Sequence, residues 1–174
     1  MYVLRPDEKT TPVMIYSQNA LVRGNLVTRE NIPRVSVWLR TQGIQQFAHL
    51  LHPTVLIFGG ATPRSATYTE IFFPTERIIA FHLVPPVEEP LDYDPAEENR
   101  TMHAVDVLVG TFVMKGKVRI STHAEIGTTL EVARISWMSV YEVEVTNPYL
   151  PQMPPLHVPM MLVDPRYVTF GLMS

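Results

Sequence analysis

The sequence predicts a mainly β fold, a β-rich α+β chain made of two tandem repeats of a small barrel or curled sheet, each with about five strands and one short helix. Three observations predict it. Residues 71–83, IFFPTERIIAFHL, overlie residues 160–172, MMLVDPRYVTFGL, at an offset of 89 positions, placing Arg77 on Arg166, Phe81 on Phe170 and Leu83 on Leu172. Nearer the start of each half, ALVRGNLVT (20–28) overlies FVMKGKVRI (112–120) at an offset of 92, so that Gly24 meets Gly116 and Arg23 meets Lys115. Between the halves lies PPVEEPLDYDPAEENR (85–100), rich in proline and like charge. Two matches in the same order, one at each end of a unit, point to internal duplication.

These observations divide the chain into a tail (1–12), a first repeat (13–84), an acidic linker (85–101) and a second repeat (102–174). Residues 13–28 and 105–120 are rich in Val, Ile, Leu and Thr and read as strands, with Ile15 equivalent to Val107 and Tyr16 to Leu108. The glycine inside each run predicts a bulge or sharp bend. RVSVWLRTQ (34–42) and TTLEVARI (128–135) each predict a short helix, capped by Ser36 and by Thr128 or Thr129. A strand near Val55–Phe58 and its counterpart Val140–Val145 follow. In the latter, YEVEV alternates, which buries one face and leaves Glu142 and Glu144 in water. GGATPRSAT (59–67) reads as a hairpin loop, since it lacks the G-K-[ST] ending of a phosphate loop. Each unit closes with the matched stretch, read as a hairpin whose Pro and acidic residues suit a type I turn. The linker has few large apolar groups to bury against the entropy of ordering it and reads as solvated.

GNLVTRENIPRVSVWLRT resembles a family of small uncharacterised bacterial domains, in which two strands lead to an R-[VL]-S-x-[FW]-L helix start and an aliphatic hairpin ends the domain. Arg34, Val35, Ser36, Trp38 and Leu39 carry the resemblance, which covers roughly residues 13–86, and YTEIFFPTERIIAFHLVPP matches more loosely. The second half departs from the pattern, since GTTLEVAR lacks the arginine and the aromatic. The resemblance implies the fold unit and no mechanism. The strand content is also similar to SH3- and Sm-like small barrels, an analogy of fold alone.

Composition narrows the function classes. With no cysteine, the chain has neither thiol nucleophile nor thiolate metal site, and the cytoplasm is the expected location. Its apolar runs fall short of the roughly 20 residues that span a bilayer, and the first residues lack the apolar core of a signal peptide, so no membrane partner is expected. His49 and His52 have a spacing suited to two metal ligands, but Leu50, Leu51 and Pro53 around them suit structural histidines better. No G-x-S-x-G elbow or paired carboxylates in apolar surroundings occur, so the chain reads as non-enzymatic and without cofactor. Residues 13–84 carry six arginines against three glutamates, while 85–101 carry six acidic residues against one arginine. The basic residues and their aromatic neighbours supply the candidate binding residues: Arg23, Arg34, Trp38, Lys115 and Lys117.

Two functions follow as expectations. The first is a non-catalytic interaction or scaffold module that self-associates or binds another protein, suggested by the duplication and by methionine-rich strands such as VPMMLV (158–163). The alternative is a small-barrel binder of single-stranded nucleic acid or another anionic ligand, with Arg23 and Lys115 as equivalent contacts.

Overall fold

The computed structural model describes residues 2–40, 45–60, 62–132 and 137–172, and the chain divides into two compact units, Met1–Glu89 and Pro90–Ser174. The first unit holds β1 (Glu8–Tyr16), β2 (Ala20–Arg29), a 3-10 helix (Val35–Arg40), β3 (Phe47–Ile57), β4 (Arg64–Thr67), β5 (Glu70–Pro74), a 3-10 turn (Thr75–Arg77) and β6 (Ala80–Leu83). The second holds β7 (Arg100–Val109), β8 (Phe112–Ser121), helix α1 (Ile126–Val132), β9 (Met138–Thr146), β10 (Leu156–Val163) and β11 (Thr169–Gly171). The fold is mainly β, as the periodicity predicts.

Both units pair their strands in one order, all antiparallel. In the first, β6 pairs β1, β1 pairs β2, β2 pairs β3, and β3 pairs β5. In the second, β11 pairs β7, β7 pairs β8, β8 pairs β9, and β9 pairs β10. The registers also agree: Phe81 lies opposite Ile15, and Phe170 opposite Val107. The stretches 71–83 and 160–172 are therefore not hairpins. Their two strands sit at opposite ends of a five-strand order and are joined by tight turns, with Ile78 N donating to Thr75 O and Tyr167 N to Asp164 O. In a flat sheet those ends would lie about 19 Å apart, four spacings of about 4.8 Å. A few residues wound into a turn fall short of that, because 3-10 backbone rises only about 2 Å per residue. Each sheet must curl to bring its edges together.

The curl has a local source. Between Arg23 and Asn25, β2 spends one residue, Gly24, against His52 and Pro53 of β3. Between Lys115 and Lys117, β8 spends Gly116 against Glu142 and Val143 of β9. The glycines mark bulges as expected, but the extra residue is on the partner strand. It takes left-handed backbone, φ 50° at His52 and 51° at Glu142. The bulge switches which positions face the core: Ala48 and Leu50 are buried before it, Val55 after it.

Other expectations need correction. The predicted tail is structured, since β1 begins at Glu8 and Arg5 O accepts from Glu8 N. Residues 85–100 are largely exposed, as a solvated linker would be, but two of their carboxylates are anchored. Glu89 accepts from the amides of Val35 (2.6 Å) and Ser36 (3.0 Å) in the first unit. Within the second, Asp92 accepts from the hydroxyls of Ser139 (2.6 Å) and Tyr141 (2.7 Å). Glu89 thus caps the start of the 3-10 helix, at amides ahead of those Ser36 was expected to cap, while among the described residues Ser36 Oγ is buried without a partner. Thr128 and Thr129 lie inside α1, and Thr129 Oγ1 donates back to Glu125 O; the end of the predicted helix at 133–135 falls outside the described residues. Glu89→Ala should therefore cost about 1 kcal/mol, the usual worth of a helix cap. Ser36→Ala should be neutral or stabilising, because it removes an unsatisfied buried hydroxyl. Urea unfolding of the two variants checks the assignment; a loss confined to Ser36→Ala would restore the serine as the cap.

Candidate functional site

The first unit contains a pocket of about 640 Å³ on the face that β3 turns away from the core. Strand alternation sets it up. Ala48 and Leu50 point inward, so Phe47 and His49 point outward, and on β5 Phe72 lies opposite His49 while Pro74 lies opposite Phe47. Phe47 and Phe72 are therefore diagonal neighbours on one face, about 7 Å apart by sheet geometry. Both are unusually open for phenylalanine, at 47% and 57% exposure, and both line the pocket.

The start of the chain closes one side. Tyr2 OH donates to Glu8 Oε2 (2.7 Å), and Arg5 N donates to the same oxygen (2.9 Å). The Arg5 amide first, and the Tyr2 hydroxyl after it, hold the Glu8 carboxyl below its ordinary pKa. Tyr2 sets its edge on the His49 ring at 4.6 Å, and His49 stacks on Phe72 at 4.4 Å, 11° from parallel. His49 is fixed by Glu70, with Nε2 2.9 Å from Oε2. The result is a continuous pile of Tyr2, His49 and Phe72, its last ring open to solvent. Trp38, 5% exposed, and Thr28 line the pocket from the core side, and Gln45 and Gln46 add amides.

Charge on the lining is mixed. Arg5 and Arg29 stand against Asp7 and Glu8. Glu8 faces Arg29 across the β1–β2 ladder but turns to Tyr2 and the Arg5 amide instead. Among the described residues, the guanidinium of Arg29 makes no ion pair, nor does the Asp7 carboxylate.

The residues singled out from sequence are scattered. Trp38 alone lines the pocket, and it does so as part of the core. Arg34 is half-buried ahead of the 3-10 helix and does not line it. Arg23 is exposed on β2, opposite Met14 and Thr54. Lys115 lies between Asp106 and Glu144 on the adjacent strands. Lys117 pairs with Glu142 at 2.6 Å, and Arg119 pairs with Glu97 at 2.6 Å and lies over the Tyr93 ring. The basic side chains of β8, Lys115 and Lys117 among them, are thus matched by carboxylates. The signal for Phe47 and His49 was present as two-residue alternation in QFAHLL. Weighing His49 and His52 only as metal ligands or structural histidines passes over it, because neither reading asks which face of the strand His49 shares with Phe47.

The first unit also buries Tyr16 and His82, 1% and 2% exposed. His82 Nδ1 lies 2.7 Å from Leu83 O and therefore carries the proton; Nε2 accepts from Tyr16 OH at 2.9 Å. The pair is sealed from substrate and acts as a cross-strand brace. The positions matched to it in the second unit, Leu108 and Gly171, cannot form it. Among the described residues no group of three or more His, Asp or Glu is placed to hold a metal, and no helix is long and apolar enough to cross a membrane. No protein-family model, curated protein or solved structure matches the chain.

Proposed function

We propose that the protein is a non-catalytic binding module whose ligand-facing surface is the pocket of the first unit. One observation carries this reading: two open phenylalanines, Phe47 and Phe72, sit beside Arg29, which makes no ion pair among the described residues, in a cavity of about 640 Å³, within the roughly 300–1,000 Å³ of ordinary ligand sites. Open aromatic rings with convergent polar groups in a concave pocket are the usual make-up of a ligand site. The shared register of the two units supports a duplicated architecture, in which the first copy took on the pocket and the second diverged. The small-barrel analogy and the family resemblance belong to the same proposal, as does a cytoplasmic location for a chain without cysteine.

The test is a screen of small neutral aromatics, indole and phenol among them, by protein NMR on the full chain. The expected result is that shifts centre on Phe47, Phe72 and Trp38 and vanish in Phe47→Ser/Phe72→Ser. If no aromatic binds, or shifts centre on the second unit, the pocket is not the binding surface.

A further inference from the structure

Building on the pocket reading, we propose that the ligand is an unpaired nucleotide of a single-stranded nucleic acid, its base stacked on Phe72 and its phosphate held by Arg29. The stack already present makes the case for a planar ring. His49 lies parallel on one face of Phe72, and Tyr2 buttresses His49 from its edge. A base on the other face of Phe72 would extend an existing pile, with Phe47 diagonal to it. Glu70 holds the His49 imidazole in place, so the platform is set before any ligand arrives. Bases suit such platforms because every base offers a π face, whatever the sequence.

The polar groups complete the match. The Gln45 and Gln46 amides each present donors and an acceptor, the pattern that hydrogen-bonds the edge of a base. Arg29, on the same lining, makes no ion pair among the described residues. Glu8, its cross-strand neighbour, has one oxygen already committed to Tyr2 and the Arg5 amide. Arg5 and Asp7 oppose each other in sign, so the pocket attracts one phosphate and not a polyanionic track. This places the contact away from Arg23 and Lys115, where the charge pattern of the sequence puts it.

The test is fluorescence anisotropy of labelled decauridylate, decaadenylate and decathymidylate with the full chain, over a range of salt. All three should bind, with log K falling against log salt at a slope of about −0.7, the value for one phosphate contact on a single strand. Phe72→Leu should weaken binding about tenfold and leave the slope unchanged, as expected for loss of one stacked base. Arg29→Ala should weaken it several-fold and flatten the slope. Asp7→Asn should tighten it, while Arg23→Ala should change it less than about twofold, since six residues of β2, about 20 Å of strand, separate it from Arg29; Lys115→Ala should do the same, since Lys115 already lies between Asp106 and Glu144. Preservation of binding in Phe72→Leu and Arg29→Ala, or its loss in Lys115→Ala, would overturn the assignment. A trimethyllysine peptide is the counter-probe. If it binds where the oligonucleotides do not, and Asp7→Asn weakens it, the rings form a cage for a cation. Should neutral aromatics bind while every oligonucleotide fails, the nucleotide assignment falls and the pocket reading stands.

Discussion

Acidification from about pH 6.5 to pH 4 should remove about 3 kcal/mol of stability through one residue, His82, whose pKa burial pushes down from 6.5 to about 4. The hydrogen bond from Nδ1 to Leu83 O opposes that shift but does not cancel it. The folded state keeps the ring neutral, while the unfolded chain takes up a proton as pH falls below about 6.5. Stability is therefore full above that value, declines through the window, and levels off near pH 4, where the folded ring is protonated too. A protonated Nε2 would also turn its hydrogen toward Tyr16 OH, which now donates to it. The carboxyl groups of Glu8 and Glu97 have pKa values lowered from 4.5, so their contribution fades as pH falls below about 4.5 and overlaps only the acid end of the window. Urea unfolding across the range gives the curve, and His82→Gln is the control, because glutamine can donate and accept without titrating there. Between about pH 6.5 and pH 5, above the carboxyl range, the wild-type curve should slope and the variant's should be flat. Equal slopes, or a His82 ring that titrates near pH 6.5 by NMR, would refute the assignment.

Much of this architecture was legible in the sequence, and the failures share a cause. The matches of Gly24 with Gly116 and of Phe81 with Phe170 come together in one ladder, because offsets of 92 and 89 positions converge at Ile15–Phe81 and Val107–Phe170. Local pattern carries that information. Which strand pairs with which is not local. The closing stretches have a turn that suits a hairpin, yet β5 goes to β3 and β6 to β1, since a curled sheet satisfies both edges at once. Capping fails similarly: Ser36 has the right chemistry at the right place, but Glu89, 53 residues further on, brings a charged acceptor to its amide. The pocket needs Tyr2 and Arg5 from the start of the chain beside Phe47 and Phe72 from mid-chain. Only tertiary pairing brings them together, so a search for basic residues near aromatics in sequence finds Arg23 and Lys115 instead.

Gly116→Ala should be the costlier of the two glycine substitutions, at about 2–3 kcal/mol, within the usual range for overpacking a filled core. A methyl on Gly116 would meet Val140 Cγ1 at 2.7 Å, Tyr141 O at 3.0 Å and Val143 Cγ2 at 3.1 Å. Backbone and side chain crowd it from three directions, and the Tyr141 carbonyl sits beside the left-handed Glu142, where the strand has little freedom to move. On Gly24 the closest atoms are Pro53 Cβ at 3.1 Å and Pro53 Cα at 3.2 Å. A shift of a few tenths of an ångström relieves that contact, so Gly24→Ala should cost about 1 kcal/mol, near the lower end of the overpacking range. Neither penalty arises from backbone preference, because alanine is no worse than glycine in extended strand. The strain comes from the bulge, which presses β3 and β9 against the strand that carries the glycine. Thermal unfolding of the two variants orders them, and Gly24→Ala keeps the comparison measurable should Gly116→Ala fail to fold. If Gly116→Ala melts with the wild type, the close approach of β9 to β8 is not what requires glycine there, and the equivalence of the two bulges loses its physical basis.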